Sequence, residues 1–186
     1  MLVITDGLHR VPGRPPPAAE LADRVTAAGA RLVGPGSLGI VDTSEQLFLA
    51  WGRFTAGPVA VVTQSGQVGS ELVGLLARHG SGVSRFASVG AQEDVGTEEL
   101  LAGLVTDEAT RAVIVYVEGV RDPDGFLAAA RDLRAAGKPL VVLAVGASEA
   151  GSAAARSHTG ALTGSMDVLD AACRSVGAVR ARTQAR

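Results

Sequence analysis

The sequence predicts an α/β fold in which helices cover both faces of a parallel sheet. Short apolar runs rich in β-branched residues recur along the chain, without the polar alternation of a strand that has one solvated face. Helical patterns with clear start and stop residues separate most of these runs. The chain has 186 residues and is 47% hydrophobic, so a sizeable core can be buried. We therefore expect a three-layer α/β/α parallel sheet.

The first predicted elements are a strand, a helix and a second strand. Residues 2–5 are an apolar run. Pro17 can occupy the first turn of a helix, and Gly29 can end it. Residues 31–33 form the next apolar run. Two strands and one helix are too few for an independent core, so we expect this part to pack on the following domain or on another chain.

The rest of the chain continues the alternation after a break. Residues 41–57 contain the only tryptophan and are predicted to be a connector. The later strands are predicted at residues 59–63, 83–89, 112–117 and 140–145. Four helices are predicted between and after these strands. The first is leucine-rich and ends at Gly80, and the second has Thr97 as N-cap before two glutamates. The third runs from Asp122-Pro123 to Gly137, and the fourth from about Ser165 to Gly177.

Polar segments follow four of the predicted strands. The first is TQSGQVG, residues 63–69, which leads directly into a helix whose backbone N–H groups suit a phosphate. The others carry Glu93 and Asp94, then Glu118, then a loop of small residues with His158. The carboxyl ends of parallel strands share one edge of a sheet. The pattern therefore predicts a pocket with an anion-binding helix start, an imidazole and at least one carboxylate.

Each of these residues also has a structural explanation, and spacing alone leaves both open. A Ser-Gly turn before a helix is common in α/β folds, and Glu118 can be a solvated loop residue. Asp94 can serve only to shape its turn, and His158 can bond to backbone. His79 suits a helix C-terminus, and Cys173 suits an apolar helix face in the core.

Composition narrows the classes of partner. The formal net charge is −2 and the 17 basic residues form no long run, which argues against nucleic acid or an anionic membrane. The single cysteine excludes a disulfide within the chain. No apolar run reaches the roughly 18 residues of a membrane helix, and the start lacks a signal-peptide pattern. We expect a cytoplasmic protein, and no metal site is predicted.

The order of several segments resembles the NDP-forming acyl-CoA synthetases, which belong with the succinyl-CoA synthetase α-subunit superfamily. The segments are RLVGPGSLGI, GPVAVVTQSGQVGSELV, SVGAQEDVGTEELL, VIVYVEGV and SEAGSAAARSHTGALTGS. The resemblance implies a flavodoxin-like CoA-ligase domain at 58–186, preceded by a connector at 41–57 and by a remnant of a CoA-binding Rossmann-like domain at 1–40.

The resemblance also implies roles for individual residues. His158 would carry a phosphoryl group, and Glu118 would orient its ring. The residues implied to bind the phosphate are Ser65, Gly66, Gln67, Thr159 and Gly160. A weaker match to the family's cofactor-binding stretch falls on Gly34, Pro35 and Ser37.

By this resemblance the chain is an α-type module of an acid–thiol ligase. It would relay phosphate between an acyl phosphate and a nucleotide on an ATP-grasp domain or β-type subunit, and a homodimer is also possible. CoA and ATP or ADP would be used by the complete enzyme, with Mg²⁺ only at the partner's nucleotide site. None of them is expected to bind tightly to this chain alone.

The sequence departs from the family pattern in several places. From the resemblance we expect most of the N-terminal CoA-binding domain and all of an ATP-grasp domain to lie outside this sequence, and Ala144 and Ala147 stand where the family has lysine and arginine. A second hypothesis is therefore a non-catalytic binding or regulatory module. A flavodoxin-like electron carrier ranks third, because aromatic residues are only 3% of the chain and few rings could stack on a flavin.

Overall fold

The computed structural model describes residues 1–5, 17–144 and 166–181. Within these ranges it contains a seven-stranded sheet and five helices. The helices are α1 (Pro17–Ala27), α2 (Gly66–Arg78), α3 (Thr97–Leu104), α4 (Pro123–Ala135) and α5 (Met166–Val176). The strands are β1 (Gly39–Asp42), β2 (Leu47–Ala50), β3 (Ala56–Thr63), β4 (Val83–Ser88), β5 (Ala112–Val117), β6 (Leu140–Ala144) and β7 (Val179–Ala181).

The sheet is mostly parallel, as the sequence predicts. Its strand order is β2-β1-β4-β3-β5-β6-β7. The pairs from β4 across to β7 are parallel, whereas β1 runs antiparallel to both β4 and β2. This α/β fold is flavodoxin-like, and the fold prediction is confirmed.

Apolar side chains on both faces of β3 explain why its sequence shows no alternation. Val59 and Val61 pack with α2 residues on one face, while Ala60 and Val62 pack with residues of α3 and α4 on the other. All four are at most 9% exposed. Cys173 of α5 packs in the core on the same face of the sheet as Ala60 and Val62, as the sequence predicts. Burial raises the pKa of its thiol.

Three sequence predictions about the strands need correction. Residues 2–5 and 31–33 do not form strands. Only Leu2 and Val33 pair there, in an isolated parallel bridge. Within residues 41–57, where no strand was predicted, the end of β1 and the whole of β2 form part of a hairpin at the edge of the sheet. The short strand β7 was not predicted, since three residues carry too little pattern. The division into units at 1–40, 41–57 and 58–186 stays a prediction.

The start of α3 also differs from its prediction. Gly96 is the N-cap and makes no side-chain cap bond, while Thr97 is the first helical residue. The oxygen Oε1 of Gln92 instead accepts hydrogen bonds from the backbone N–H of Thr97 at 2.9 Å and from its hydroxyl at 2.6 Å. The side chain of Gln92, five residues before Thr97, thus does the capping that the Thr97 hydroxyl was expected to do. No described helix is long and apolar enough to cross a membrane.

Helix α2 lies unusually close to the sheet at Gly69. A Cβ added there would lie 2.6 Å from Cγ2 of Thr63 and 2.9 Å from Cε2 of Phe86. Both of those residues are at most 1% exposed. Because neither can move away freely, only glycine allows this distance between the helix and the strands.

Gly69→Ala should therefore lower the free energy of unfolding by about 1–3 kcal/mol through overpacking. Gly74→Ala is the matched control on the same helix, because a Cβ there meets only Nη1 of Arg78 at 3.5 Å. Helix propensity should make that variant about 0.5–1 kcal/mol more stable. Urea unfolding of both variants checks this, and equal effects would contradict the close approach.

Candidate functional site

The ends of three neighbouring strands lie level with one another. Thr63 at the end of β3 pairs with Ser88 of β4 on one side and with Tyr116 of β5 on the other. The segments that leave these strands therefore emerge on the same edge of the sheet. They contain the predicted residues Ser65, Gly66, Gln67 and Glu118.

The turn into α2 is organised by hydroxyl groups. The Thr63 hydroxyl donates to the carbonyl oxygen of Ser65 at 2.7 Å, and the Ser65 N–H donates back to Thr63 Oγ1 at 3.1 Å. Ser65 is the N-cap, and its Oγ accepts from the N–H of Val68 at 3.4 Å. A Cβ on Gly66 would lie 2.9 Å from Cβ of Leu38, so the segment before β1 lies against the start of the helix.

The first N–H groups of α2 are suited to an anion. The N–H groups of Gly66 and Gln67 belong to the first turn, where no carbonyl of the helix can accept them. The helix dipole adds partial positive charge at the same point. The side chain of Gln67 donates to Glu71 Oε1 at 3.1 Å. The contribution of Gln67 to an anion site would therefore come from its backbone.

Glu118 follows β5 and is held at both its backbone and its side chain. Its N–H donates to Oε1 of Gln64 at 2.6 Å. The hydroxyl of Tyr116 donates to its carboxylate oxygen Oε1 at 3.5 Å. Burial, and next the nearby Glu118 charge, raise the pKa of Tyr116 to about 12. The phenol therefore stays a neutral donor at physiological pH.

Asp94 joins the N-terminal part of the chain to this edge. Its carboxylate accepts from Nη2 of Arg31 at 2.9 Å and from the N–H of Leu32 at 2.7 Å. Arg31 also donates to both oxygens of Glu99 in α3. Hydrogen bonds from Arg31 lower the pKa of Asp94 and of Glu99 below their ordinary values. Asp94 thus does more than shape its own turn.

The segment predicted to contact a cofactor is engaged in internal contacts. Ser37 is 1% exposed, its hydroxyl donates to the Ser88 carbonyl, and its Oγ accepts from the Gly39 N–H. The carbonyl oxygens of Gly34 and Pro35 accept from the N–H groups that follow β4. These hydrogen bonds hold the segment against the loop that follows β4. A cofactor contact at Gly34, Pro35 or Ser37 stays a prediction.

The predicted residues His158, Thr159 and Gly160 lie outside the described residues. Glu118 and the Ser65–Gly66 turn are brought to neighbouring positions, with Gln64 between them. Two residues of this arrangement were not predicted as site residues, Gln64 and Tyr116. Each lies one or two positions from a predicted residue, but only the contacts reveal its role. The described residues contain no group of three or more His, Cys, Asp or Glu side chains that could hold a metal ion.

Comparison with known proteins shows the family of this chain. Residues 56–185 match the family described as succinyl-CoA ligase like flavodoxin domain. The chain belongs to this family. It is 37% identical over 166 residues to the ADP-forming acetate–CoA ligase I subunit alpha of Pyrococcus furiosus, covering 88% of this chain and 36% of that protein. It is 32% identical over 158 residues to the ADP-forming 4-hydroxybutyrate–CoA ligase of Nitrosopumilus maritimus, covering 82% of this chain and 23% of that protein.

A solved structure supports the same relationship. The dinucleotide forming acetyl-coenzyme A synthetase 1 of Ca. Korarchaeum cryptofilum, in complex with phosphate and ADP, superposes with a TM-score of 0.88 at 30% identity. The match covers 98% of this chain and 40% of that one. The chain thus spans only about a third of the length of the Pyrococcus furiosus relative that it matches, at 36%.

The burial of Tyr116, together with its contact with Glu118, predicts an unusual titration of the only tyrosine in the chain. Phenolate absorbance should give a midpoint at a pKa of about 12. Glu118→Gln should lower the midpoint, because the neighbouring negative charge is lost, but burial should keep it above the ordinary value of about 10. Circular dichroism at each pH verifies that the chain is folded. Equal midpoints in the wild type and in Glu118→Gln would contradict the contact, and a wild-type midpoint of about 10 would contradict the burial of the phenol.

The contacts of Asp94 predict a pH-dependent contribution to stability. Asp94→Ala leaves the N–H of the buried Leu32 without its acceptor and should cost about 1–3 kcal/mol. Asp94→Asn keeps an acceptor oxygen and should cost less. Since the folded-state pKa of Asp94 is lowered, its charge stabilises the fold above about pH 4 and this contribution is lost as the pH falls through the lowered pKa.

Urea unfolding at a series of pH values measures this contribution. Acidification should destabilise the wild type more than Asp94→Asn, and Glu99 should contribute to the acid dependence that remains through its hydrogen bonds with Arg31. Identical acid dependence in the two proteins would contradict the assignment.

Proposed function

We propose that this chain is the α-type module of an NDP-forming acyl-CoA synthetase, an acid–thiol ligase of the cytoplasm. In this proposal His158 relays a phosphoryl group between an acyl phosphate and a nucleotide. The observation that carries the proposal is the neighbouring position of Glu118 and the start of α2. A family match at 56–185 and relatives named as ADP-forming CoA ligases support it.

The chemistry of an imidazole, a carboxylate and a helix start suits this reaction. A neutral imidazole nitrogen of His158 would attack phosphorus, and an N–P bond would form as the P–O bond to the acyl carboxylate breaks. The carboxylate leaves with the bonding electrons, and the ring gains positive charge. Glu118 would hold the N–H of the other ring nitrogen and stabilise that charge. The free N–H groups at the start of α2 would stabilise the phosphoryl oxygens.

The complete reaction needs sites beyond the described residues. CoA would supply the thiol in the complete enzyme, with any contact from this chain made at Gly34, Pro35 or Ser37. The nucleotide and its Mg²⁺ would be held by an ATP-grasp domain or β-type subunit. We expect none of them to bind tightly to this chain alone. A homodimer is a further possible assembly, and the acyl group is not assigned.

A non-catalytic binding or regulatory module is the second candidate function. The replacement of the family's lysine and arginine by Ala144 and Ala147 favours it. Such a module would keep the fold and the hydrogen bonds around Glu118 but would not take up phosphate. The two candidates therefore differ in one measurable property, the phosphorylation of His158.

The test is phosphorylation of the purified chain by acetyl phosphate and, separately, by labelled ATP with an ATP-grasp partner protein. We expect one added phosphoryl group by intact mass, labile in acid and stable in alkali. His158→Ala should abolish the label. His79→Ala should retain it, because His79 is the C-cap of α2, at the opposite end of that helix from Ser65. A folded wild type that takes no label from either donor would favour the non-catalytic module.

A further inference from the structure

We propose that Gln64 is a positioning residue for Glu118. Its side-chain amide joins the segment after β5 to the turn that begins α2, and so fixes the carboxylate relative to the helix start. The inference deepens the proposed function and rests on it. Neither the residue type of Gln64 nor its position in the sequence indicates by itself that it positions Glu118.

One side chain satisfies three backbone groups of the neighbouring segment. Oε1 of Gln64 accepts from the N–H of Glu118 at 2.6 Å and from the N–H of Gly119 at 3.0 Å. Nε2 of Gln64 donates to the carbonyl oxygen of Gly119 at 2.6 Å. Donor and acceptor identities agree at every contact, so the orientation of the amide is determined by its partners.

These bonds extend the pairing of two parallel strands beyond its last backbone contact. Thr63 pairs with Tyr116 at the end of β3, and the N–H of Gln64 still donates to the Tyr116 carbonyl at 3.2 Å. The chain of β3 then turns into α2 and can offer no further peptide groups to Glu118. A primary amide has the same donor and acceptor as a peptide, so the Gln64 side chain takes over the pairing.

The same amide also reaches the start of α3. Nε2 of Gln64 lies 3.4 Å from Oγ1 of Thr97, whose hydroxyl donates to Oε1 of Gln92 at 2.6 Å. Thr97 and Gln92 are 2% and 6% exposed, so their polar atoms depend on one another for partners. The segments after β3, β4 and β5 are thereby joined in one hydrogen-bonded network.

This arrangement links the position of the carboxylate to that of the helix start. Ser65 is the N-cap of α2 and is the next residue after Gln64. A change at Gln64 would free the segment of Glu118 without altering either the carboxylate or the anion-binding N–H groups. Positioning groups of this kind typically change reaction rates by about 10-fold to 100-fold.

The test compares Gln64→Met, which keeps the length of the side chain and removes its hydrogen bonds, with wild type. The first readout is the rate of acid-labile phosphorylation by acetyl phosphate, which we expect to fall about 10-fold or more. Gln46→Met is the matched control, because Gln46 is an exposed residue of the hairpin turn. Its labelling rate should equal that of the wild type.

A double variant separates positioning from a general loss of structure. In a Glu118→Gln background, Gln64→Met should change the residual rate by less than about 2-fold, because no carboxylate remains to be positioned. A purely structural role would reduce the rate by the same factor in both backgrounds. That result, or an unchanged rate in Gln64→Met alone, would overturn the inference.

Amide hydrogen exchange keeps the inference separate from the proposed function. Gln64→Met should reduce the protection of the Glu118 and Gly119 amides, whether or not the chain is phosphorylated. Unchanged protection would overturn the Gln64 contact itself. A folded wild type that takes up no phosphoryl label overturns the proposed function, and with it the positioning role in phosphoryl transfer. Loss of amide protection in Gln64→Met would in that case still support the hydrogen bonds between Gln64 and the Glu118 segment.

Discussion

The parallel pairing of β3 with two neighbours is the constraint on which the rest of the structure depends. Its last residue, Thr63, lies opposite Ser88 of β4 and Tyr116 of β5. Because these registers end at the same level, the turn into α2, the segment before α3 and the segment at Glu118 leave the sheet together. The polar groups of the candidate site are close for this reason and not because they are near in sequence.

Close packing then brings the other parts of the chain to the same edge. Gly69 lets α2 approach β3 and β4, and Gly66 lets the segment at Leu38 lie against the start of the helix. Asp94 binds Arg31 and the buried backbone of Leu32, which joins the N-terminal part to the segment after β4. The segment at Leu38 therefore lies against the start of α2, and the Asp94 contacts hold the N-terminal part against the segment that follows β4.

Neutral hydrogen-bonding groups predominate around Glu118. A primary amide, a phenol whose pKa is raised to about 12 and two hydroxyls connect the loops, so their geometry varies little across the physiological pH range. Such a site can present a carboxylate and a helix start in fixed relative positions. In the proposed reaction this edge would hold the phosphoryl group that His158 carries.

The sequence alone determined the α/β class, the bounds of most helices and the edge at which the site would form. These follow from local rules, because apolar periodicity and cap residues act over a few positions. It also predicted Glu118 and the Ser65 turn as site residues, by resemblance to a family, and the structure places them next to each other. It missed the hairpin of β1 and β2 and the short β7, and it overestimated the strands at 2–5 and 31–33, because brief strands carry weak patterns. The tasks of Gln64, Tyr116 and Asp94 were decided only by the tertiary structure. Their partners lie on other elements, and a hydrogen bond between side chain and distant backbone leaves no signal in local sequence.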